Sequence, residues 1–222
     1  MNAPAGRPEV KIGPWIQQGF DLLKAHPGPL ILGALLAVAL SVVTLGILAG
    51  PMAAGLAWVV LGLARGRTPR PGAGDVFKGF GWFLDALVFF VLWMAAAFLG
   101  SAVLGVVPVL GPLLSFAWHW VLQAFLMFAI FLIVDRNLGF WPAAWQSVEM
   151  VRSNLGPFLG FGVIASLIGS AGALAFGIGV IVTYPLQVCI VAAAYRELWG
   201  EERAETAPAS QAPPPPPPPP PA

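Results

Sequence analysis

The sequence predicts an all-α membrane protein: about six transmembrane helices folded as three hairpins, each preceded by a cytoplasmic amphipathic helix. Three observations lead there. Of 222 residues, 58% are hydrophobic and 9% are charged, with a mean hydropathy of +0.83. Soluble domains carry about 25% charged residues, so a chain this apolar has to face lipid on its outside. The charges also leave three neutral stretches, from Lys24 to Arg65, Asp85 to Asp135 and Arg152 to Arg196, with 40, 49 and 43 residues between the charges. One crossing takes about 20 residues at 1.5 Å rise, so each stretch is long enough to go out and return. Finally, all 11 lysines and arginines fall in the termini or in the two segments between hairpins, and none in a hairpin turn. Basic residues resist translocation, which puts both termini on the cytoplasmic side of a bacterial inner membrane.

The elements follow in order. Helices are expected at 29–47, 51–65, 84–105, 113–135, 156–176 and 178–196. Glycine and proline mark the turns: Gly46 with Gly50-Pro51, Pro108 with Gly111-Pro112, and Gly177 with Gly179. The second helix is short for a full crossing. Pro185 is expected to kink the sixth. The first apolar stretch, Leu30 to Ala49, is longer than the roughly 7–15 residues of a secretory signal and reads as a retained helix. Outside the membrane domain of 14–199, residues 1–13 read as a disordered leader and 200–222 as a disordered proline-rich tail. The nine prolines from Pro213 to Pro221 would form a polyproline II rod of about 28 Å.

A short signature recurs before each hairpin: acid, two apolar residues, base. It appears as Asp21 to Lys24, Asp75 to Lys78, and Glu149 to Arg152. At a spacing of i, i+3 the charges share a helix face and can pair for about 0.2–0.5 kcal/mol. The first and third copies also agree at an offset of 128: Gln18 with Gln146, His26 with Asn154, Gly28-Pro29 with Gly156-Pro157. The second copy lacks the Gly-Pro. These segments read as helices in the headgroup layer, joined there by an aromatic belt of Trp82, Trp141, Trp145 and Trp199. They serve either as anchors or as a lipid- or partner-binding surface.

Within the membrane, Ser115, His119 and Gln123 recur every four residues and form a polar stripe on the fourth helix. His119 would lie roughly 9 Å deep. It either bonds a neighbouring helix as neutral imidazole or acts as a proton relay or ligand contact. Thr183, Tyr184 and Gln187 surround Pro185, where they either satisfy the backbone groups freed by the kink or line a transporter-like site. Small residues spaced for close helix packing recur at Gly162, Ser166 and Ser170, at Ala165, Gly169, Ala173 and Gly177, and at Ala97, Ser101 and Gly105.

Catalytic and metal-binding patterns are missing from the sequence. His26 and His119 lie 93 positions apart, Cys189 is the one cysteine, and no phosphate loop or nucleophile elbow occurs. No carboxylate stands at membrane depth to serve a membrane-embedded hydrolase. A net charge of +1 provides no footprint for nucleic acid. The expectation is therefore no enzyme, no cofactor and no metal.

The segment from Asp135 to Trp199 carries Asp135-Arg136-Asn137, Pro142-Ala143-Ala144-Trp145-Gln146-Ser147, Asn154, Thr183-x-Pro185 and Ala194-Tyr195-Arg196-Glu197-Leu198. In these motifs it resembles the domain-of-unknown-function 975 family and the membrane domain attached to some glycerophosphodiester phosphodiesterases; residues 14–65 resemble them more loosely. The resemblance implies about six helices and no established activity; no catalytic residues carry over, and the diesterase domain is absent. Two roles stand. One is a non-catalytic scaffold, assembly or lipid-interacting module, with membrane lipids, other membrane proteins or a second copy as partners. The other is a small permease or lipid transporter.

Overall fold

The computed structural model describes residues 8–172 and 179–206. Among these, every regular element is helical. α1 (Ile12–Ala25) and α2 (Pro27–Val43) meet at a 95° bend, and α3 (Ala49–Ala64) returns. A 3-10 helix (Ala73–Trp82) runs into α4 (Phe83–Gly105). α5 (Gly111–Leu126) and α6 (Ala129–Arg136) come back. α7 (Phe140–Ser153) and α8 (Leu155–Ala171) meet at a 115° bend, and α9 (Val180–Thr206) ends the described chain.

Two continuous stretches, Ala73–Gly105 and Gly111–Arg136, are long and apolar enough to cross a membrane. The count rises to four if each bent pair forms one span; α3, at 16 residues, is a shorter apolar helix. Large apolar side chains face outward along the helices and at the turns, as with Phe98 at 73% exposed and Leu45 at 93%. Such a surface suits hydrocarbon and not water.

The first turn satisfies its own backbone. Gly46, at φ +89°, donates to the Ser41 carbonyl at 2.7 Å, while Leu45 and Ile47 donate to Val42 and Thr44. The Thr44 hydroxyl donates to the Leu40 carbonyl and accepts from the Leu48 N–H.

The offset of 128 reappears in the architecture. α1 and α7 have 14 residues each, α2 and α8 have 17, and every boundary differs by 128. The bends fall on His26 (φ −136°, ψ 54°) and Asn154 (φ −146°, ψ 68°). Gly-Pro supplies the reason: Pro29 and Pro157, third in their helices, have no N–H to bond the carbonyls of Ala25 and Ser153, and their rings would clash with those carbonyls in a continuous helix, so α1 and α7 end there. The second copy, without Gly-Pro, passes from the 3-10 helix into α4 as one continuous rod, so the segment before that hairpin is not an amphipathic α-helix.

Other boundaries also differ from expectation. The fourth helix, expected unbroken over 113–135, is interrupted at Met127-Phe128. α9 continues to Thr206, past residue 199. Residues 1–7 of the leader, the turn residue Gly177 with Ala173, and residues 207–222 with the nine prolines lie outside the described residues.

Close backbone approach holds the layers together. A side chain on Gly55 of α3 would strike the Val76 carbonyl of the 3-10 helix, and one on Gly79 would strike the Pro51 carbonyl. An aromatic group fills the space between α6 and α9: Phe131 stacks on Tyr195 at 5.5 Å, and Tyr195 on Trp199 at 5.0 Å. Trp199 is therefore core, 5% exposed, and not part of the interfacial belt. Residue type alone does not distinguish a belt tryptophan from one packed on a neighbouring helix.

Candidate functional site

α3, α6 and α9 meet where the charged residues begin. Arg65, just after α3, pairs with Asp135 of α6 through both nitrogens, at 2.5 and 2.9 Å. The Tyr195 hydroxyl of α9 donates to the same carboxylate at 2.9 Å. Asp135 is nearly buried, with its side chain 9% exposed. A guanidinium fork and a phenol supply the directional donors such a carboxylate needs. Beside this node, α1 is clamped to α9: Lys11 Nζ lies 2.7 Å from Glu197 and Trp15 Nε1 donates to Glu197 at 2.6 Å. Burial pushes the Glu197 carboxyl up, but the hydrogen bonds from Lys11 and Trp15 and the Lys11 charge outweigh it, so the net shift is downward.

The three repeated charge pairs do not behave alike. Asp75 and Lys78 join at 2.9 Å, and Asp75 also accepts the Gly72 N–H at 2.8 Å. Asp21 and Lys24 form no ion pair among the described residues, nor do Glu149 and Arg152; Glu149 instead accepts the Trp145 indole N–H at 3.0 Å. Helix type explains the difference. Side chains at i and i+3 eclipse in a 3-10 helix; in α1 and α7 they share a face but stand about 60° apart around the axis, and Asp21, Lys24, Glu149 and Arg152 are all exposed. Lys78 and Arg67 both lie over the Trp58 ring, at 4.0 and 4.7 Å.

The polar stripe of the fourth helix divides. Ser115 donates to the Ser101 carbonyl of α4 at 3.0 Å, and His119 sets its ring against Trp93 of α4 at 5.5 Å. Gln123 instead faces a cleft near α8 and α9. A step of four residues advances 400°, so the stripe drifts about 40° per step, and two steps carry Gln123 off the face shared with α4.

Gln123 thereby meets residues expected around Pro185, which lies inside the continuous helix α9. Tyr184 and Gln187 line the same cleft, together with Ser166 of α8, around a volume of about 130 Å³. Gln187 Nε2 reaches Ser166 Oγ only at 3.4 Å, longer than an ordinary bond. Thr183 turns away, donating to the Gly169 carbonyl at 2.7 Å.

A second cavity, about 250 Å³, opens between α4, α5 and α7. Its wall is apolar: Phe89, Leu92, Trp93 and Ala96 from α4, Leu126 from α5, and Phe140, Trp141, Ala144, Trp145 and Val148 from α7. Trp141 and Trp145 remain more than half exposed there.

One polar residue carries structural weight that its sequence position did not suggest. Ser147, fully buried in α7, donates to the Phe125 carbonyl at 2.7 Å and accepts the Phe128 N–H at 3.3 Å. It thus plugs the break between α5 and α6, where the helical ladder leaves both groups open. Periodicity could not reveal this, because the break lies 19 residues earlier in the chain.

Among the described residues, no group of three or more histidines, cysteines or carboxylates is placed to hold a metal ion. No family model, curated protein or solved structure matches the chain.

Proposed function

We propose that this is a non-catalytic, multi-pass protein of the bacterial inner membrane, with six membrane segments in three hairpins and both termini cytoplasmic, whose role is to engage lipid at the cytoplasmic leaflet. The apolar cavity beside α7 carries the reading. Phe89, Leu92, Trp93 and Ala96 make one stripe of α4. Counted from Asp85, it lies about 6 to 16 Å below the charged level. That is the depth of a cytoplasmic-leaflet acyl chain. The Trp145 ring lines the cavity while its N–H bonds Glu149, an amphipathic placement suited to the interface. A phospholipid tail laid along α4 would fill the space.

Quantifying phospholipid in protein purified with mild detergent tests this. Roughly one tightly held phospholipid per chain is expected, as one cavity accepts one ligand, and Ala144→Trp, which fills the cavity, should release it. Equal lipid in both proteins, or none in either, would overturn the reading.

A further inference from the structure

We infer that the cleft lined by Gln123, Ser166, Tyr184 and Gln187 is a binding site for a small uncharged polar solute, of the polyol or short-amide class. Gln123 lies twelve residues from Asp135, and Tyr184 twelve from Arg196. Both are therefore about 18 Å from the charged face, near the middle of a bilayer whose hydrocarbon is about 30 Å thick. Polar groups at that depth cannot turn to water, and those without partners are strongly disfavoured. Yet among the described residues neither the Gln123 amide nor the Tyr184 hydroxyl has a hydrogen-bond partner, and Gln187 has only its long contact to Ser166.

Helix packing accounts for some polar residues of this bundle and not for these. Ser115, Thr183 and Ser147 all bond to backbone carbonyls at 3.0 Å or less. The four cleft residues instead surround open space.

Their chemistry defines the ligand. Two carboxamides, a phenol and an alcohol present both donors and acceptors and no charge, so an ion would enter without a counter-charge. About 130 Å³ is well below the roughly 300–1,000 Å³ of drug-sized sites, which limits the ligand to a few heavy atoms. Met127, Phe131 and Val188 complete the wall and suit a short carbon skeleton. The site is separate from the apolar cavity, so the two readings stand or fall independently. A solute site at mid-membrane depth is also what a permease requires.

Saturation-transfer NMR on the detergent-solubilised full chain, with glycerol and acetamide as probes and acetate as the charged control, tests the site. Transfer to a neutral probe and not to acetate is expected. Gln123→Leu should weaken binding about fivefold, the loss of one ordinary hydrogen bond, and Ala53→Leu, which fills the cleft and keeps every polar group, should abolish it. Should Gln123→Leu not fold, Ala53→Leu and the contrast between acetamide and acetate decide the matter. No transfer from either neutral probe (a cleft holding water alone), equal transfer from acetate, or a signal unchanged in folded Ala53→Leu would overturn the proposal.

Discussion

Arg65 and Asp135 end the neutral stretches of the first and second hairpins, and their side chains meet in a two-pronged ion pair that Tyr195 of the third hairpin completes. Residues 70 and 60 positions from Asp135 are thereby drawn to one point on the charged face.

Asp135→Leu should destabilise the bundle by about 3 kcal/mol, because it leaves Arg65 and the Tyr195 hydroxyl without their acceptor. Adding Arg65→Met to Asp135→Leu should recover part of that loss. Cys189 is buried and is the one cysteine, so its labelling by a thiol-reactive dye on heating reports unfolding of each variant. A double variant no better than the single would disprove the coupling.

Ser147→Ala removes the hydroxyl that bridges the α5–α6 break and should cost about 1–3 kcal/mol, the penalty for a buried donor or acceptor left open. Hydrogen exchange should quicken at residues 125–131 and leave α1 unaffected. Uniform protection in the variant would mean that the break satisfies itself.

Gly55→Ala should be damaging, by about 1–3 kcal/mol or more, since the new methyl group meets the Val76 backbone, which has little room to yield. Gly28→Ala is the control, with nothing within 4 Å of its added carbon. Similar unfolding temperatures for the two would refute the close approach of α3 and the 3-10 helix.

The Lys11–Glu197–Trp15 clamp predicts acid sensitivity. The folded Glu197 pKa lies below its ordinary value, so the fold favours the charged carboxylate. Its stabilisation is complete above the ordinary glutamate value of about 4.3 and is lost as pH falls through the lower folded value. Unfolding followed between about pH 6 and pH 3 should show this loss, and Glu197→Gln should flatten the slope. An identical pH profile for wild type and variant would remove the clamp from the acid response.

The arrangement of charges predicts topology. Reporters fused at residues 70, 140 and 205 should be active in the cytoplasm, and those at 49, 109 and 179 on the opposite side. Cytoplasmic activity at 109 would undo the second hairpin, whose 23-residue α4 is the longest apolar helix described.

Much of the scaffold could be read from residues alone. Neutral stretches bounded by Lys24, Arg65, Asp85, Asp135, Arg152 and Arg196 located the apolar helices, because ionised groups shun hydrocarbon wherever the chain goes. The 128-residue offset marked two equivalent segments, and the structure gives them equivalent bends because a proline ends a preceding helix within one turn of itself. What neighbours decide was hidden. Whether acid and base at i, i+3 would pair depended on a 3-10 helix at Asp75 and α-helices at Asp21 and Glu149. Ser147 gained its role from a break in another helix, and Trp199 lost its place at the interface to Tyr195 and Phe128. Gln123 left the stripe of Ser115 and His119 to join Tyr184 and Gln187, residues some sixty positions away. Desolvation and backbone geometry act residue by residue and are written in order along the chain. Hydrogen-bond partners and cavities depend on which helices come to lie side by side, and only the packed bundle determines that.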